Sequence, residues 1–90
     1  MKSKKTSKGT RTLLEEQQWT YEKIAERLKA LRIKRGYNNY EDFAYENDIS
    51  RSQYGLYERG KADMRMSSLV KILKALNISI QEFFSEGFDS

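Results

Sequence analysis

Apolar residues recur at helical spacing along much of this 90-residue chain. One series runs from Tyr21 to Leu31, and another runs from Leu69 to Leu76, with members three or four positions apart. Such spacing places apolar side chains on one face of an α-helix. Alternation at every second position is confined to residues 77–80, which is too short to predict a strand. The pattern therefore predicts an all-α protein.

Capping residues predict where the first two helices begin. Thr12 and Thr20 are alternative starts for helix 1, which is expected to end at Gly36. Asn39 is a suitable N-cap for a short second helix over about 40–47. The acidic residues of that helix are expected to face solvent.

The following residues predict three more helices. Ser50 and Gln53 form a Ser-x-x-Gln pattern, which predicts a capping box at the start of helix 3, and Gly60 supplies a left-handed residue at its end. Helix 4 is predicted over about 68–76, and helix 5 begins after Ser79. The two brief helices around residues 40–59 are thus joined by a tight turn.

The composition restricts the chemistry that the chain can perform. It contains no cysteine and no histidine, which removes disulfides, thiolate or imidazole metal ligands and nucleophiles activated by histidine. We therefore expect no enzyme activity, no metal and no cofactor. No apolar run approaches the roughly 20 residues of a membrane span, and the start lacks the apolar stretch of a signal peptide. We expect no membrane association and a location in the bacterial cytoplasm, with the nucleoid.

The net charge of +4 is concentrated at the start of the chain. Residues 1–12 carry five basic side chains and no acid, so residues 13–90 sum to −1. The first twelve residues are almost free of apolar side chains and are predicted to be a flexible basic tail. Such a tail could follow the DNA backbone or merely increase solubility. Whole-domain charge gives no argument for DNA binding, which must rest on where individual charges lie.

The segment from Ile49 to Lys61, ISRSQYGLYERGK, resembles the third helix of the Cro/C1-type helix-turn-helix domain of the Xre family. Further parts of the resemblance are Phe43-Ala44 and the later sequence LVKILKALNIS, and it covers roughly residues 21–84. The resemblance implies a five-helix, lambda-repressor-like DNA-binding domain over about 13–86. Its helix-turn-helix would occupy about 40–59.

The same resemblance implies roles for individual residues. Helix 3 would read base edges in the major groove with Arg51, Ser52, Gln53 and Leu56. Arg51 could pair with guanine and Leu56 could meet a thymine methyl group, whereas Gln53 could bind either adenine or a phosphate. The candidates for phosphate contacts are Asn39, Tyr40, Arg59, Lys61 and Arg65. Arg32 and Glu58 are expected to form a structural ion pair.

Two positions depart from what the resemblance and helix propensity suggest. Tyr40 stands where the family usually has a glutamine that contacts both helix 3 and a phosphate. Gly55 lies inside helix 3, where glycine lowers helix stability by about 1 kcal/mol relative to alanine. Gly55 could permit close packing on helix 2 or close approach to the groove wall.

The predicted function is sequence-specific binding of double-stranded DNA by a repressor-type transcriptional regulator. A homodimer on an inverted-repeat operator is expected, because one such domain touches few bases. Its surface could involve either of two sets of apolar residues: Ile80, Phe84 and Phe88, or Leu13, Leu14 and Trp19. The alternative is a protein-interaction module, such as an antitoxin that binds a toxin or another partner protein.

Overall fold

The computed structural model of the chain describes residues 11–89, which form five α-helices and no strand. The helices are α1 (Leu13–Lys34), α2 (Tyr40–Glu46), α3 (Arg51–Glu58), α4 (Met66–Ala75) and α5 (Ile80–Phe83). The all-α prediction is confirmed. Residues 1–10 of the predicted basic tail lie outside the described residues.

Helix α1 starts at the earlier of its two predicted caps. The Thr12 hydroxyl accepts a hydrogen bond from the Glu15 amide at 3.1 Å, and the Glu15 carboxylate accepts one from the Thr12 amide at 2.9 Å. The alternative start at Thr20 is wrong, because its hydroxyl donates to the Glu16 carbonyl inside a continuous helix. The first turn is solvated, with Leu13 and Leu14 each 76 % exposed.

A tight turn joins α2 to α3. Asn39 caps α2 by accepting from the Asp42 amide at 2.9 Å. The chain reverses at Asp48, whose φ of 57° lies in the left-handed region that L-residues seldom adopt. The Ile49 amide then donates to the Ala44 carbonyl at 2.8 Å, which closes the turn. The direction of α3 is therefore fixed by main-chain geometry immediately before its first residue.

Helix α4 differs from its prediction. It spans Met66–Ala75 rather than about 68–76, and its N-cap residue, Arg65, makes no side-chain capping bond. A capping side chain contributes only about 1 kcal/mol, so the path of the preceding loop can set the start of a helix. That loop is tied to α1, because the Tyr21 hydroxyl donates to the Asp63 carboxylate at 2.9 Å.

The core is formed where all five helices meet. Tyr54, Phe43, Phe83, Leu28 and Ile72 are its largest fully buried side chains. The ring centroids of Phe43 and Tyr54 lie 5.2 Å apart, and this contact joins α2 to α3 within the core. Ile78 is only partly buried, at the edge of this core.

Candidate nucleic-acid interface

Helix α3 has a buried face and a solvent-facing one. Its buried residues are Tyr54, Gly55 and Tyr57. The residues that the sequence suggested for base contacts lie outside that face: Arg51, Ser52 and Gln53 are exposed and Leu56 is partly exposed. Within residues 11–89, the Arg51 side chain forms no hydrogen bond or ion pair, and the Ser52 hydroxyl contacts only that of Ser50, at 3.4 Å. Their side chains are therefore available to a ligand that approaches α3 from solvent.

The start of α3 is capped less fully than predicted. The Ser50 hydroxyl accepts from the Gln53 amide at a long 3.4 Å, but the Gln53 side chain does not return a bond to Ser50. Its amide instead donates to the Tyr57 hydroxyl at 3.2 Å. The predicted capping box is therefore wrong, because Tyr57, one turn further along the same helix, competes for that side chain. This bond orients Gln53 while leaving its amide oxygen unbonded within residues 11–89.

A buried ion pair holds the far end of α3 against α1. Arg32 donates to both carboxylate oxygens of Glu58, at 2.7 and 3.0 Å, and to the Tyr37 carbonyl at 2.7 Å. The Arg32 and Glu58 side chains are only 4 % and 7 % exposed. Two parallel hydrogen bonds fix the relative orientation of the two groups. The hydrogen bond with Glu58 raises the pKa of Arg32.

The Tyr54 hydroxyl is buried beside this pair. It makes no hydrogen bond of good geometry, although Glu58 and Arg32 are close enough to influence it. Burial is the main reason that the pKa of Tyr54 is raised well above its usual value, and Glu58 adds to the effect. Tyr54 is therefore a structural residue of the core and is not placed to meet DNA.

Gly55 accommodates a side chain from α2. A Cβ atom at position 55 would lie 2.8 Å from Cε1 of Tyr40 and 2.9 Å from both its Cζ and its hydroxyl oxygen. Distances this short are not tolerated between such atoms. Of the two interpretations left open by the sequence, close packing on α2 is thus the one the geometry favours.

The candidate phosphate-binding residues do not form one cluster. Arg65 lines a shallow recess together with Gln53 of α3. Arg59 lines a different recess, together with Glu22, Glu26 and Lys29 of α1. Three acids line the recess of Arg59, namely Glu22, Glu26 and Glu58, against one, Asp63, in the recess of Arg65, so the surroundings of Arg59 are the less favourable for a phosphate.

The remaining candidates lie at the start of α2 and in the loop after α3. The Asn39 side chain is engaged in the α2 cap, where its amide also donates to the Asp42 carboxylate at 3.2 Å. Tyr40 is partly buried against α3, and Lys61 is exposed. Among these candidate phosphate-binding residues, Tyr40 is thus the one whose position is fixed by packing.

The acids of α2 are exposed, and two of them are occupied by local contacts. Asp42 accepts from Asn39, and Glu46 accepts a 3.0 Å hydrogen bond from the Tyr37 hydroxyl. That bond raises the pKa of Tyr37. A different acid, Asp63, shares the recess of Arg65 and Gln53, where Tyr21 holds it.

One residue of α4, Lys71, was not anticipated from the sequence. Lys71 donates to the Asp48 carbonyl at 2.6 Å, and it lines a recess with Ser50, Gln53 and Ser68. A positive charge therefore lies beside the start of α3. The available signal was that α4 carries two lysines and no acid, but only the fold brings one of them to the helix-turn-helix.

A family model described as helix-turn-helix matches residues 28–83. The chain belongs to the Cro/C1-type helix-turn-helix family. The match runs from α1 to the last residue of α5 and includes the whole of α2 and α3. The protein is accordingly a DNA-binding transcriptional regulator, in a family of regulators rather than enzymes.

A curated relative supports the same assignment. The chain is similar to the control protein C.MunI of a Mycoplasma species, with 33 % identity over 64 residues that cover 71 % of this chain and 86 % of the relative. No solved structure matches the chain. The alternative of a protein-interaction module is not favoured by these similarities. Among residues 11–89, no helix is long and apolar enough to cross a membrane.

Proposed function

We propose that this regulator binds an inverted-repeat operator as a homodimer, with α3 of each subunit in the major groove. The observation that carries the proposal is the division of α3 into two faces. Tyr54, Tyr57 and the Arg32–Glu58 pair fix one face to the domain, while Arg51 and Ser52 are exposed to solvent and Leu56 is partly exposed. A recognition helix requires this combination of rigid anchoring and free side chains near its N-terminus.

Base contacts are assigned by the chemistry of the exposed side chains. Arg51 would donate two hydrogen bonds to guanine O6 and N7, a pairing that contributes about 1–3 kcal/mol of discrimination. Leu56 would contact a thymine methyl group, and Ser52 would accept or donate without strong preference. Gln53, oriented by Tyr57, has an amide oxygen and an N–H for adenine or for a phosphate.

Phosphate contacts would fix the register of α3 without reading sequence. We assign them to Asn39, Tyr40, Lys61 and Arg65 and add Lys71, which lies beside the start of α3. Arg59 has acidic neighbours on α1, so among the candidates for phosphate contacts it has the least support.

A dimer surface on α4 and α5 has better support than one on the first turn of α1. Met66, Val70, Ile80 and Phe84 are 40–59 % exposed, and Val70 and Ile80 line a common recess of about 470 Å³. Lys74 and Glu82 line the same recess. Across a two-fold axis, Lys74 of one subunit would face Glu82 of the other. Occupancy of an operator that overlaps a promoter would repress transcription, and this action would take place at the nucleoid in the bacterial cytoplasm.

Selection of bound duplexes from a randomised pool tests the proposal. The purified chain at about 0.15 M salt would be compared with Arg51→Ala and with Lys29→Ala, which removes an exposed charge of α1. We expect an inverted-repeat motif that Lys29→Ala retains and that loses its preference at one position per half-site in Arg51→Ala. An enriched motif without two-fold symmetry would contradict the dimer, and the absence of any motif would contradict sequence-specific binding.

The dimer is tested separately by sedimentation. Phe84→Glu places a charge on the proposed surface, whereas Leu14→Glu places one on the first turn of α1. We expect only Phe84→Glu to shift the protein toward monomer and to weaken operator binding. A monomeric species produced only by Leu14→Glu would move the interface to α1.

A further inference from the structure

Tyr40 and Gly55 fit one another across the two helices of the motif. Tyr40 is the first residue of α2, and Gly55 lies in the middle of α3. Three atoms of the phenol, Cε1, Cζ and the hydroxyl oxygen, occupy the space within 2.9 Å of where a Cβ at position 55 would be. The ring can lie there only because position 55 has no side chain.

This arrangement uses a residue that is unfavourable for the helix itself. Glycine is among the poorest helix formers, and its backbone at position 55 is not in a conformation that requires glycine. The local structure of α3 therefore gives no reason for glycine at this position. The contact with Tyr40 does give one.

The ring of Tyr40 is held in place, but its hydroxyl is not engaged. Its centroid lies 6.3 Å from that of the buried Tyr54, so one face of the side chain packs toward the core. The hydroxyl makes no hydrogen bond within residues 11–89, and it is not among their buried polar atoms that lack a partner. It is therefore a fixed donor that solvent reaches.

The position of this donor relates it to the base-reading residues. Gly55 follows Arg51 by four residues and lies one turn further along α3, on the buried side of the helix. It immediately precedes Leu56. The phenol thus meets α3 at Gly55, one turn beyond Arg51 and next to Leu56 in sequence, and it comes from the first residue of α2.

We propose that Tyr40 and Gly55 are a coupled pair that makes a backbone contact with the operator. The bare main chain at Gly55 seats the phenol, and the Tyr40 hydroxyl donates to a phosphate oxygen. A side chain at position 55 would move the ring and remove that contact. This inference rests on the proposed function, since it specifies how one of the proposed phosphate contacts is built.

A double-mutant cycle tests the coupling on the operator selected by the wild-type chain. Tyr40→Ala and Gly55→Ala should each weaken binding by about tenfold to a hundredfold, as expected for a hydrogen bond to a charged group. The double variant should bind no more weakly than Tyr40→Ala alone, because alanine at position 55 has no ring to displace. Multiplicative losses in the double variant would overturn the coupling. Tyr45→Ala is the matched control, because that side chain of α2 is 77 % exposed.

Tyr40→Phe separates the hydroxyl from the packing of the ring. It keeps the ring on Gly55, so thermal unfolding should be unchanged while affinity falls. A second test replaces one phosphate of the duplex at a time by a neutral methylphosphonate. At one backbone position per half-site, this replacement should weaken binding of the wild-type chain. At the same position it should not weaken binding of Tyr40→Phe any further, because that variant already lacks the contact. Wild-type affinity in Tyr40→Phe would overturn the phosphate contact.

The outcomes distinguish the pair from the function on which it rests. If the wild-type chain and Tyr45→Ala select an operator but Tyr40→Phe binds it equally well, the pair is refuted and the proposed function stands. If the wild-type chain selects no operator, the proposed function fails and the inference fails with it.

Discussion

Removing the carboxylate of Glu58 should destabilise the whole domain. In Glu58→Ala, Arg32 would keep its charge in a site where its side chain is only 4 % exposed, with the Tyr37 carbonyl as its remaining partner. Breaking a buried pair in this way costs about 3–5 kcal/mol. A domain of this size has about 5–10 kcal/mol of total stability, so a substantial unfolded fraction is expected at 37 °C or in mild denaturant.

Urea unfolding followed by far-UV circular dichroism measures this loss. Glu26→Ala is the control, because Glu26 forms an exposed pair with Lys23 at 3.6 Å and should change stability by less than about 1 kcal/mol. Replacing both Arg32 and Glu58 by methionine should recover much of the loss, since a matched apolar pair leaves no charge unpaired. A loss below about 1 kcal/mol in Glu58→Ala would contradict the burial of an unpaired charge, and it would mean that water reaches Arg32.

Three further predictions concern the core, the end of α3 and the turn before it. The free energy of unfolding should fall as pH rises above about 10, because tyrosine ionises there in the unfolded chain while burial keeps Tyr54 neutral in the folded one. In urea unfolding at a series of pH values, Tyr54→Phe should show a smaller fall. At neutral pH the same variant should change stability by less than about 1 kcal/mol. Gly60→Ala should lower stability by about 1–2 kcal/mol in thermal unfolding, and by more than Gly36→Ala. Both glycines have a positive φ, but only at position 60 would a Cβ lie 3.3 Å from a backbone atom of α1. Equal losses in the two variants would contradict this. In binding titrations, Lys71→Met should weaken affinity for the operator several-fold without changing base preference, whereas Lys29→Met should leave affinity unchanged. Unchanged affinity in Lys71→Met would mean that Lys71, at the turn before α3, makes no contact with the operator.

Local sequence signals located most helix ends correctly. The capping boxes at Thr12 and Ser79 and the Asn39 cap are contacts within one turn, so the residue types and their spacing suffice to predict them. Where another group competes for the capping side chain, or the preceding loop is held elsewhere, the same rule failed. Gln53 left its predicted capping role for Tyr57, and α4 began before any capping side chain because the loop ahead of it is tied to α1.

The pattern of residues predicts an all-α chain in which a short helix with Arg51, Ser52 and Leu56 follows a tight turn. These features depend on period and on neighbours within four residues. The cations that accompany that helix depend instead on how the helices pack. That packing placed Lys71 of α4 at the turn and Arg59 among acids of α1, and it seated Tyr40 on Gly55. Such contacts join residues that are far apart in the chain, and no local pattern fixes which distant side chains will meet.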